Sequence, residues 1–312
     1  MKNGDFKGIN KEISAANIHD RKRGLGLRIN KRELKSEIKD LKIIVVNCRS
    51  IRNKQAEFVN LAKSSSADVI LGTESWLCEE IASSEIFPPD YIVYRKDRTN
   101  RIGGGVFIAV KDHLDIQPED IIDTTSEMVW CSILGKNRSK ILFCSFYRPP
   151  EEEIHSIEDL SESLRVIRDK MKDHIIVVGG DFNLPHIDWE NVTHSSTSAE
   201  KKLSQKLIDT FTIHGLEQVN MNITRTNRTG KGNILDLLAT SHPQLMTSIH
   251  VADGISDHDV IIAELKAETI KTLKPRRDIY LFSKCNFTEF KIYINEGRDE
   301  FLPLRQGEYS RR

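Results

Sequence analysis

The sequence predicts an α+β fold in which two mixed or antiparallel sheets pack face to face and helices flank them. About eleven strand-like apolar runs occur between residues 42 and 266, but only three segments have the period of an amphipathic helix. Several consecutive runs are joined by short turn-like links, which is typical of hairpins. Many hairpins and few helices favour packed sheets over a doubly wound parallel sheet.

The predicted elements follow one another from residue 43 to residue 265. The strand-like runs are residues 43–46, 67–71, 91–94, 105–110, 128–134, 141–147, 175–181, 216–219, 234–239, 249–252 and 260–265. The first helix is expected over about 53–64. The second has apolar residues three or four apart between Ile157 and Met171. The third carries Leu203, Leu207 and Phe211 on one face, and Gly215 ends it.

Composition and charge divide the chain into three parts. Residues 1–40 are polar and charged without a clean period, which predicts a flexible basic arm. Residues 41–267 form the predicted folded domain, and 268–312 form a predicted linker. The 46 basic and 46 acidic residues cancel, so a uniformly basic surface is excluded. Local basic patches remain at 21–42, 95–101 and 274–277, and the alternative is that they are ordinary solvated segments.

Cysteine content and hydropathy bound the compartment. The chain has five cysteines, an odd number, and no pair has C-x-x-C spacing, so neither a disulfide framework nor a zinc knuckle is indicated. The N-terminal residues lack the apolar region of a signal peptide. No apolar stretch approaches the ~20 residues that span a bilayer. We expect an intracellular protein without membrane contact.

The most informative segment is the apolar run that ends in Gly179-Gly180-Asp181-Phe182-Asn183. A buried strand that ends here delivers Asp181 and Asn183 to the rim of a sheet, where the glycines would let the backbone approach a ligand closely. Residues two apart on an extended segment point the same way, so both side chains could act on one phosphate. The alternative is an Asx turn after a strand.

Two further strand ends carry candidate metal ligands. Asn47 follows the first strand, and Glu74 follows the second. Mg²⁺ prefers hard oxygen ligands and keeps much of its water, so one or two carboxylates and a side-chain amide suffice to hold it. The alternative is that Glu74 is a surface residue in a turn.

A histidine beside acidic residues forms another candidate cluster. Ser256-Asp257-His258 precedes the last apolar run, and a carboxylate next to His258 could fix its tautomer or keep it protonated. Asp236 lies inside an apolar run, where an ionised carboxylate is costly unless it is paired. His258 is the expected partner.

Tyr147 and Arg148 lie at the end of the strand 141–147 and are candidate hydrogen-bond donors to phosphate, since a guanidinium can bind phosphate in a bidentate manner. The alternative is an aromatic residue at the edge of the core, followed by prolines that end the strand. The three glycines at 103–105 are more typical of a flexible hairpin than of a phosphate loop.

The order of these features resembles one family. The motifs are Asn47-Cys48-Arg49-Ser50-Ile51-Arg52-Asn53-Lys54, Thr73-Glu74-Ser75-Trp76-Leu77, Tyr147-Arg148-Pro149-Pro150, Gly180-Asp181-Phe182-Asn183-Leu184-Pro185, Asp188-Trp189, Ile234-Leu235-Asp236-Leu237 and Ser256-Asp257-His258. Over roughly 42–266 the chain resembles the endonuclease/exonuclease/phosphatase superfamily. More narrowly, it resembles the apurinic-endonuclease-like endonuclease domain of LINE-type non-LTR retrotransposons. The resemblance implies a four-layered, DNase-I-like α/β sandwich.

The resemblance also implies roles for the candidate residues. Mg²⁺ (or Mn²⁺) would be held by Glu74 and Asn47, with Asp257 near it. Asp181 would activate the attacking water, while Asn183 and Tyr147 would contact the scissile phosphate. His258, oriented by Asp236, would donate to the same phosphate. The residues expected to bind substrate phosphates are Arg148, Thr224 and Ser256.

The implied activity is nicking of one strand of double-stranded DNA to leave a 3′-hydroxyl that primes reverse transcription. We expect a nuclear monomer, with residues 268–312 leading toward a reverse-transcriptase domain that this chain does not contain. One alternative within the fold is a phosphatase or phosphodiesterase for a small phosphate ester, such as an inositol phosphate or sphingomyelin. Another is a domesticated copy that binds without catalysis.

Overall fold

The computed structural model describes residues 39–99, 102–135, 139–151, 154–170, 174–194, 198–227 and 229–269. The strands, in chain order, are β1 (Lys39–Asn47), β2 (Val69–Thr73), β3 (Tyr91–Lys96), β4 (Val106–Lys111), β5 (Ile116–Pro118), β6 (Glu127–Leu134), β7 (Lys140–Tyr147), β8 (Ile175–Asp181), β9 (Ile187–Asp188), β10 (Thr193–His194), β11 (Glu217–Gln218), β12 (Arg225–Thr226), β13 (Gly232–Asn233), β14 (Asp236–Thr240), β15 (Met246–Ala252) and β16 (Val260–Ala267). The α-helices are α1 (Gln55–Ser65), α2 (Ser83–Ile86), α3 (His155–Lys170) and α4 (Ser198–Ile213).

Twelve of these strands form two six-stranded sheets. The first sheet has the order β15-β16-β1-β2-β4-β3, and the second has the order β11-β14-β8-β7-β6-β5. Each sheet contains one parallel pair, β1 with β2 and β7 with β8, among antiparallel neighbours. The predicted mixed sheets are therefore confirmed. Two short ribbons, β9 with β10 and β12 with β13, lie outside the sheets.

The apolar residues of each strand alternate between two cores. Ile43 and Val45 of β1 point into the core between the sheets, together with Leu71 and Phe143. The intervening residues Ile44 and Val46 pack on the other face of the first sheet, against Phe58 and Ala62 of α1. One strand thus contributes to two apolar layers.

Helices α3 and α4 cover the outer face of the second sheet. Ile157, Leu160 and Leu164 of α3 are fully buried against that sheet and pack in one cluster with Leu207 and Phe211 of α4. Burial of each such side chain contributes about 1.5–3 kcal/mol. The layers are thus α1, the first sheet, the second sheet, and α3 with α4, which is the predicted four-layered sandwich.

The two glycines before Asp181 make room for other parts of the protein rather than for a ligand. A Cβ on Gly179 would come within 2.8 Å of side-chain atoms of Leu71 and Val45 in the facing sheet. Gly180 has φ 146°, and a Cβ there would lie 1.9 Å from the carbonyl oxygen of Phe146. The sheets approach closely at Gly179, and strands β7 and β8 of one sheet approach closely at Gly180, because these positions lack side chains.

Strand register brings the candidate residues to one edge of the sandwich. Tyr147 is opposite Asp181 in the parallel pair β7–β8, and Asp236 is opposite Asp181 in the antiparallel pair β14–β8. In the first sheet, Asn47 and Thr73 end the parallel strands β1 and β2 side by side. Because the parallel strands of each pair end side by side, the polar residues that follow them lie close together at this edge.

The predicted arm and the predicted linker lie almost wholly outside the described part of the chain. The basic arm falls almost wholly on 1–38, and nearly all of the linker, with its basic patch, falls on 270–312. Neither is described. The four cysteines within the described ranges, Cys48, Cys78, Cys131 and Cys144, are free thiols. Among the described helices, none has the length and hydropathy that a membrane crossing requires.

Candidate active site

The side-chain amide of Asn47 links the two sheets at the edge of the sandwich where the candidate residues meet. Nδ2 of Asn47, at the end of β1, donates hydrogen bonds to Oε1 of Glu74 at 3.0 Å and to Oδ2 of Asp181 at 2.9 Å. Asn47 and Asp181 are both almost completely buried, while Glu74 is partly exposed. Both protons of one amide group therefore fix the distance between two carboxylates from different sheets.

The orientation of Asn47 does not fit its predicted role as a metal ligand. Its Oδ1, the atom that would bind a cation, accepts a 3.0 Å hydrogen bond from the backbone N–H of Arg49. That donor determines which end of the amide faces the carboxylates. Asn47 is thus placed to position Glu74 and Asp181, and the oxygens open to a metal are those of the carboxylates.

Left-handed backbone conformations concentrate at this edge. Seven non-glycine residues of the described segments have positive φ, and five border the site: Arg49, Ser50, Glu74, Trp76 and Asn183. Such conformations cost on the order of 1–3 kcal/mol each and persist where the surroundings hold them. In the turn after β2, the indole Nε1 of Trp76 donates to Oε2 of Glu74 at 3.3 Å. The turn thus fixes the direction of the Glu74 carboxylate.

The predicted pair of Asp236 and His258 is present. Nδ1 of His258 lies 2.7 Å from Oδ2 of Asp236, and both side chains are buried. Burial lowers the pKa of His258, but the hydrogen bond and charge of Asp236, with the charge of Asp181, outweigh it and raise the pKa to about 9. His258 is therefore a cation at neutral pH, with Nδ1 donating to Asp236.

Negative charge is in excess around Asp181. Burial, followed by the charge of Asp236, raises the pKa of Asp181 to about 8. One ligand atom each from Asp181, Asp236 and His258 lies within 4.8 Å of the others, and Oδ1 of Asp236 has no hydrogen-bond partner among the described residues. With Glu74, three carboxyl groups surround one imidazolium, and the raised pKa of Asp181 means that this residue holds a proton at neutral pH while no cation is bound. Such a set of hard oxygen donors fits a divalent cation.

Tyr147 is held as a neutral phenol beside the carboxylates. Burial, then the charges of Glu74 and Asp181, raise its pKa well above the ordinary value. Its ring centre lies 5.7 Å from Cζ of Arg98. The guanidinium of Arg98 donates to Glu127, which is opposite Tyr147 in the β6–β7 pair. Arg98 and Glu127 thus form one wall around Tyr147 that the sequence alone did not predict.

Asn183 lies in the Asx turn that was the alternative interpretation. Its φ is 50°, and its backbone N–H donates to Oδ1 of Asp181 at 3.0 Å. Its Nδ2 donates to the carbonyl oxygen of Arg148 at 2.9 Å. The extended geometry that would have aligned Asp181 and Asn183 is therefore wrong, although Asn183 still lines the groove beside the site.

The predicted phosphate-binding role of Arg148 does not fit its surroundings. The side chain is almost fully buried, and its guanidinium donates to the carbonyl oxygens of Phe182, Asn183 and Pro149 at 2.8–3.1 Å. A buried guanidinium that satisfies several backbone acceptors stabilises the loop after β8. The residue therefore supports the loop that carries Asn183.

The hydroxyl groups of Thr224 and Ser256 form hydrogen bonds with backbone groups, which does not fit the phosphate contacts predicted for them. Oγ1 of Thr224, which is fully buried, accepts from the backbone N–H groups of Leu235 and Asp236 at 3.0 Å. Oγ of Ser256 donates to the carbonyl oxygen of Asn47 at 2.7 Å and accepts from the N–H of His258 at 3.1 Å. Each hydroxyl fixes the backbone of a catalytic candidate.

Asp257 is paired with two arginines, which does not fit its predicted place near the metal. Its Oδ2 is 2.8 Å from Nη1 of Arg49 and 2.7 Å from Nη2 of Arg225. Arg49 and Arg225 were not among the predicted site residues, because no periodicity marks a surface pairing between distant loops. Arg49 does lie in the motif that begins at Asn47, which is the one signal that could have indicated it.

A groove of about 730 Å³ opens beside the edge of the sandwich that carries Asp181 and His258. Its walls come from the loop after β8, helix α4 and the β12–β13 ribbon. The polar lining residues include Arg49, Asn183, His186, Arg225, Asn233 and Asp257. Polar and apolar side chains thus line the groove together, and Asn183 and Asp257 join it to the site.

Comparison with known proteins finds one matching family model and several solved structures of similar fold. Residues 141–262 match a family model described as endonuclease-reverse transcriptase. The chain resembles the endonuclease domain of TRAS1, a telomere-specific non-LTR retrotransposon, with TM-score 0.59 and 20% identity over 74% of this chain and 100% of that one. The predicted resemblance is confirmed. No curated protein matches the chain.

Two further solved structures have the same fold. The catalytic domain of APE2 from Xenopus laevis has TM-score 0.59 and 15% identity, over 75% of this chain and 94% of its own. The AP endonuclease LMAP from Leishmania major has TM-score 0.58 and 13% identity, over 73% and 88%. The predicted DNase-I-like fold is thus confirmed.

Proposed function

We propose that this protein is a divalent-metal-dependent DNA endonuclease that nicks one strand of a duplex and leaves a 3′-hydroxyl and a 5′-phosphate. The observation that carries the proposal is the convergence of Asn47, Glu74, Asp181, Asp236 and His258 on one edge of the sandwich. The endonuclease-reverse transcriptase family model supports a further step, in which the 3′-hydroxyl primes reverse transcription.

Glu74 and Asp181 are the residues that would hold the metal, Mg²⁺ or Mn²⁺. Their carboxylates share the amide of Asn47, and the negative charge around them exceeds what His258 neutralises. When bound, the cation supplies Lewis-acid stabilisation of the charge on the phosphoryl oxygen. In this proposal Asn47 keeps the two carboxylates at the spacing that the ion requires.

Asp181 would orient the attacking water and accept its proton. Oδ2 of Asp181 accepts from Asn47, and Oδ1 accepts from the N–H of Asn183, so the carboxylate cannot rotate freely. A cation held beside Asp181 would keep this residue ionised near neutral pH, so that its carboxylate could accept the proton. The orientation comes from two donors on separate elements, and thus survives small movements of either.

His258 and Tyr147 would stabilise the phosphate as charge develops on it. The pair with Asp236 leaves Nε2 of the protonated His258 free to donate to a phosphoryl oxygen. The phenol of Tyr147, kept protonated by its surroundings, is a second donor. Asn183, at the start of the groove, would position the strand.

The proposal extends to the setting of the reaction. Double-stranded DNA is the substrate, the nucleus is the compartment, and the protein acts as a monomer. Residues 41–267 form the endonuclease domain, flanked by the basic arm at 1–40 and by the linker at 268–312 toward a reverse-transcriptase domain. Support for these points is the match to retrotransposon endonucleases together with the local basic patches of the sequence.

Nicking of supercoiled plasmid in Mg²⁺ tests the proposal. Wild type should convert the plasmid to the relaxed circle, and a DNA polymerase should extend the nick because it ends in a 3′-hydroxyl. Asp181→Ala and His258→Ala should lose at least about 100-fold in rate. The exposed Asp209→Ala and His155→Ala serve as matched controls.

Two outcomes would contradict the proposal. In one, all five proteins relax the plasmid equally, which would indicate a contaminating nuclease. In the other, wild type releases phosphate from inositol phosphates without nicking DNA, which would favour a phosphatase for small esters.

A further inference from the structure

Two arginines from distant parts of the chain meet on one carboxylate oxygen. Nη1 of Arg49 and Nη2 of Arg225 both lie within 2.8 Å of Oδ2 of Asp257. Arg49 follows β1 in the first sheet, whereas Arg225 begins the β12–β13 ribbon. One negative charge therefore holds two positive charges, and the cluster keeps a net charge of about +1.

The cluster faces solvent and keeps donors available. The side chains of Arg49 and Arg225 are 55% and 37% exposed. A guanidinium has five N–H donors in a fixed fork, and the contact with Asp257 uses one nitrogen of each arginine. Remaining N–H groups of two neighbouring forks match the oxygens of a single phosphate.

The position of the cluster relates it to the reaction centre. Arg49 is two residues from Asn47, Arg225 follows Thr224, whose hydroxyl fixes the backbone of Asp236, and Asp257 precedes His258. All three members of the cluster line the groove that runs from the catalytic edge past Asn183. A strand whose scissile phosphate lies at His258 would carry a neighbouring phosphate past these arginines.

We propose that Arg49 and Arg225, held together by Asp257, form a subsite for a backbone phosphate that flanks the scissile phosphate of a nucleic-acid strand. The inference rests on the proposed endonuclease function and deepens it, because it assigns Asp257 to substrate binding and removes it from the metal site. Glu74 is the charge that faces Arg49 from the catalytic side, whereas the cation of His258 faces Arg225 and repels it. Asp257, which contacts both arginines, links the ribbon that carries Arg225 to the turn after β1.

Salt dependence of duplex binding tests the subsite directly. Contact with one phosphate releases about one counterion, so the slope of log Kobs against log salt should fall by about one in Arg49→Gln or Arg225→Gln, and by no more than that in the double variant. The measurement is fluorescence anisotropy of a labelled duplex in chelator, at several KCl concentrations. Arg165→Gln is the matched control, because Arg165 is an exposed arginine that also bridges two carboxylates, on α3. Its slope should equal that of wild type.

Kinetics on two substrates separates a flanking phosphate from the scissile one. For a long duplex, KM should rise about tenfold in each glutamine variant while kcat changes little, and the rise should be uniform across sequences. A dinucleotide has only the scissile phosphate, so its kcat/KM should stay unchanged. Equal losses on both substrates, a loss confined to one base sequence, or unaltered salt slopes in folded variants would each overturn the proposal.

Asp257→Asn distinguishes the subsite from a metal ligand. The Mg²⁺ concentration for half-maximal nicking should stay at the wild-type value, while KM for the duplex changes because the arginines lose their shared anchor. A raised Mg²⁺ requirement would overturn the assignment. Failure of the endonuclease function has a different signature, since wild type would then bind the duplex with an arginine-dependent salt slope but would not nick it.

Discussion

Asp236 accepts a 2.7 Å hydrogen bond from Nδ1 of His258 and lies directly opposite Asp181 in the β14–β8 pair. A buried carboxylate in an apolar strand is costly unless a partner compensates its charge. Here the partner is an imidazolium, and the same cation offsets part of the charge of Asp181. The pair therefore links the protonation of the two residues that are proposed to act on the attacking water and on a phosphoryl oxygen.

Asp236→Asn should lower nicking and move its pH dependence. The change removes the hydrogen bond and the charge that raise the pKa of His258, whereas the burial that lowers this pKa remains. In wild type the alkaline limb of the rate profile should lie near pH 9. In the variant it should move toward or below the ordinary value of 6.5. At pH 8 the rate should fall by about 100-fold.

The measurement is the rate of plasmid nicking from pH 5 to pH 10 at saturating Mg²⁺. Asp209→Asn, which changes an exposed carboxylate on α4, is the control and should follow the wild-type profile. A variant that loses rate equally at every pH would indicate that Asp236 acts only on structure.

Stability should also decrease as pH rises, because both raised pKa values act in the same direction. The folded state keeps the proton on His258 up to about pH 9, so its contribution is complete below pH 6.5 and disappears as pH passes 9. Asp181 contributes below its ordinary 3.8 and loses that contribution as pH passes about 8. The free energy of unfolding should therefore fall between pH 4 and 9.

Urea denaturation in chelator at pH 6 and pH 10 provides the test. His258→Gln should lose about 3 kcal/mol less than wild type over this interval, since one pKa unit corresponds to about 1.4 kcal/mol. His155→Gln, an exposed histidine on α3, should behave like wild type. Equal losses in all three proteins would show that His258 does not carry the dependence.

Apolar runs and the polar motifs that follow them predicted most of the fold and much of the site. The run that ends at Asn47 and the run that ends at Asp181 are strands, as predicted, and the structure places them in different sheets. The predicted pair of Asp236 and His258 is also present, because a charged residue inside an apolar run needs a partner. The β12–β13 ribbon could not be predicted, because strands of two residues are too short to show a hydrophobic period.

The predicted roles that the contacts do not favour belong to polar residues whose partners are backbone groups. Arg148, Thr224 and Ser256 all lie near the site, but their side chains bond to carbonyl or amide groups of distant loops. A sequence shows the polar side chain but not the backbone group that the fold brings next to it. The orientation of Asn47 likewise depends on the left-handed turn at Arg49, which no residue type predicts.

Glu74→Gln should raise the concentration of Mg²⁺ that nicking requires. The substitution keeps the size of the side chain but removes one of the two charges that are proposed to hold the ion. We expect an increase of at least tenfold in the half-maximal Mg²⁺ concentration, with a smaller change in the rate at saturation. Removal of metal with chelator should abolish nicking by wild type, and added Mg²⁺ or Mn²⁺ should restore it.

A titration of nicking rate against Mg²⁺ gives the comparison. Glu217→Gln changes an exposed glutamate in β11 and is the control. If the two variants require the same Mg²⁺ as wild type, Glu74 is not a ligand, and the buried set of Asp181, Asp236 and His258 becomes the better candidate for the ion.

Arg148→Met should destabilise the fold more than it weakens substrate binding. The substitution keeps the apolar stem but leaves buried carbonyl oxygens of Phe182 and Asn183 without the guanidinium. Loss of such donors should cost about 3 kcal/mol in the free energy of unfolding, as measured by urea denaturation. Arg165→Met, on the exposed face of α3, should cost less than about 0.5 kcal/mol.

Catalysis separates this structural role of Arg148 from phosphate binding. Nδ2 of Asn183 donates to the carbonyl oxygen of Arg148, so a looser loop should lower kcat at a temperature where the variant is still folded. Arg148→Lys keeps the positive charge but cannot reach several carbonyl oxygens from one planar group, so it should be destabilised nearly as much as Arg148→Met. If the lysine variant is instead as stable as wild type and only its KM for DNA rises, the guanidinium contacts phosphate and the carbonyl contacts are incidental.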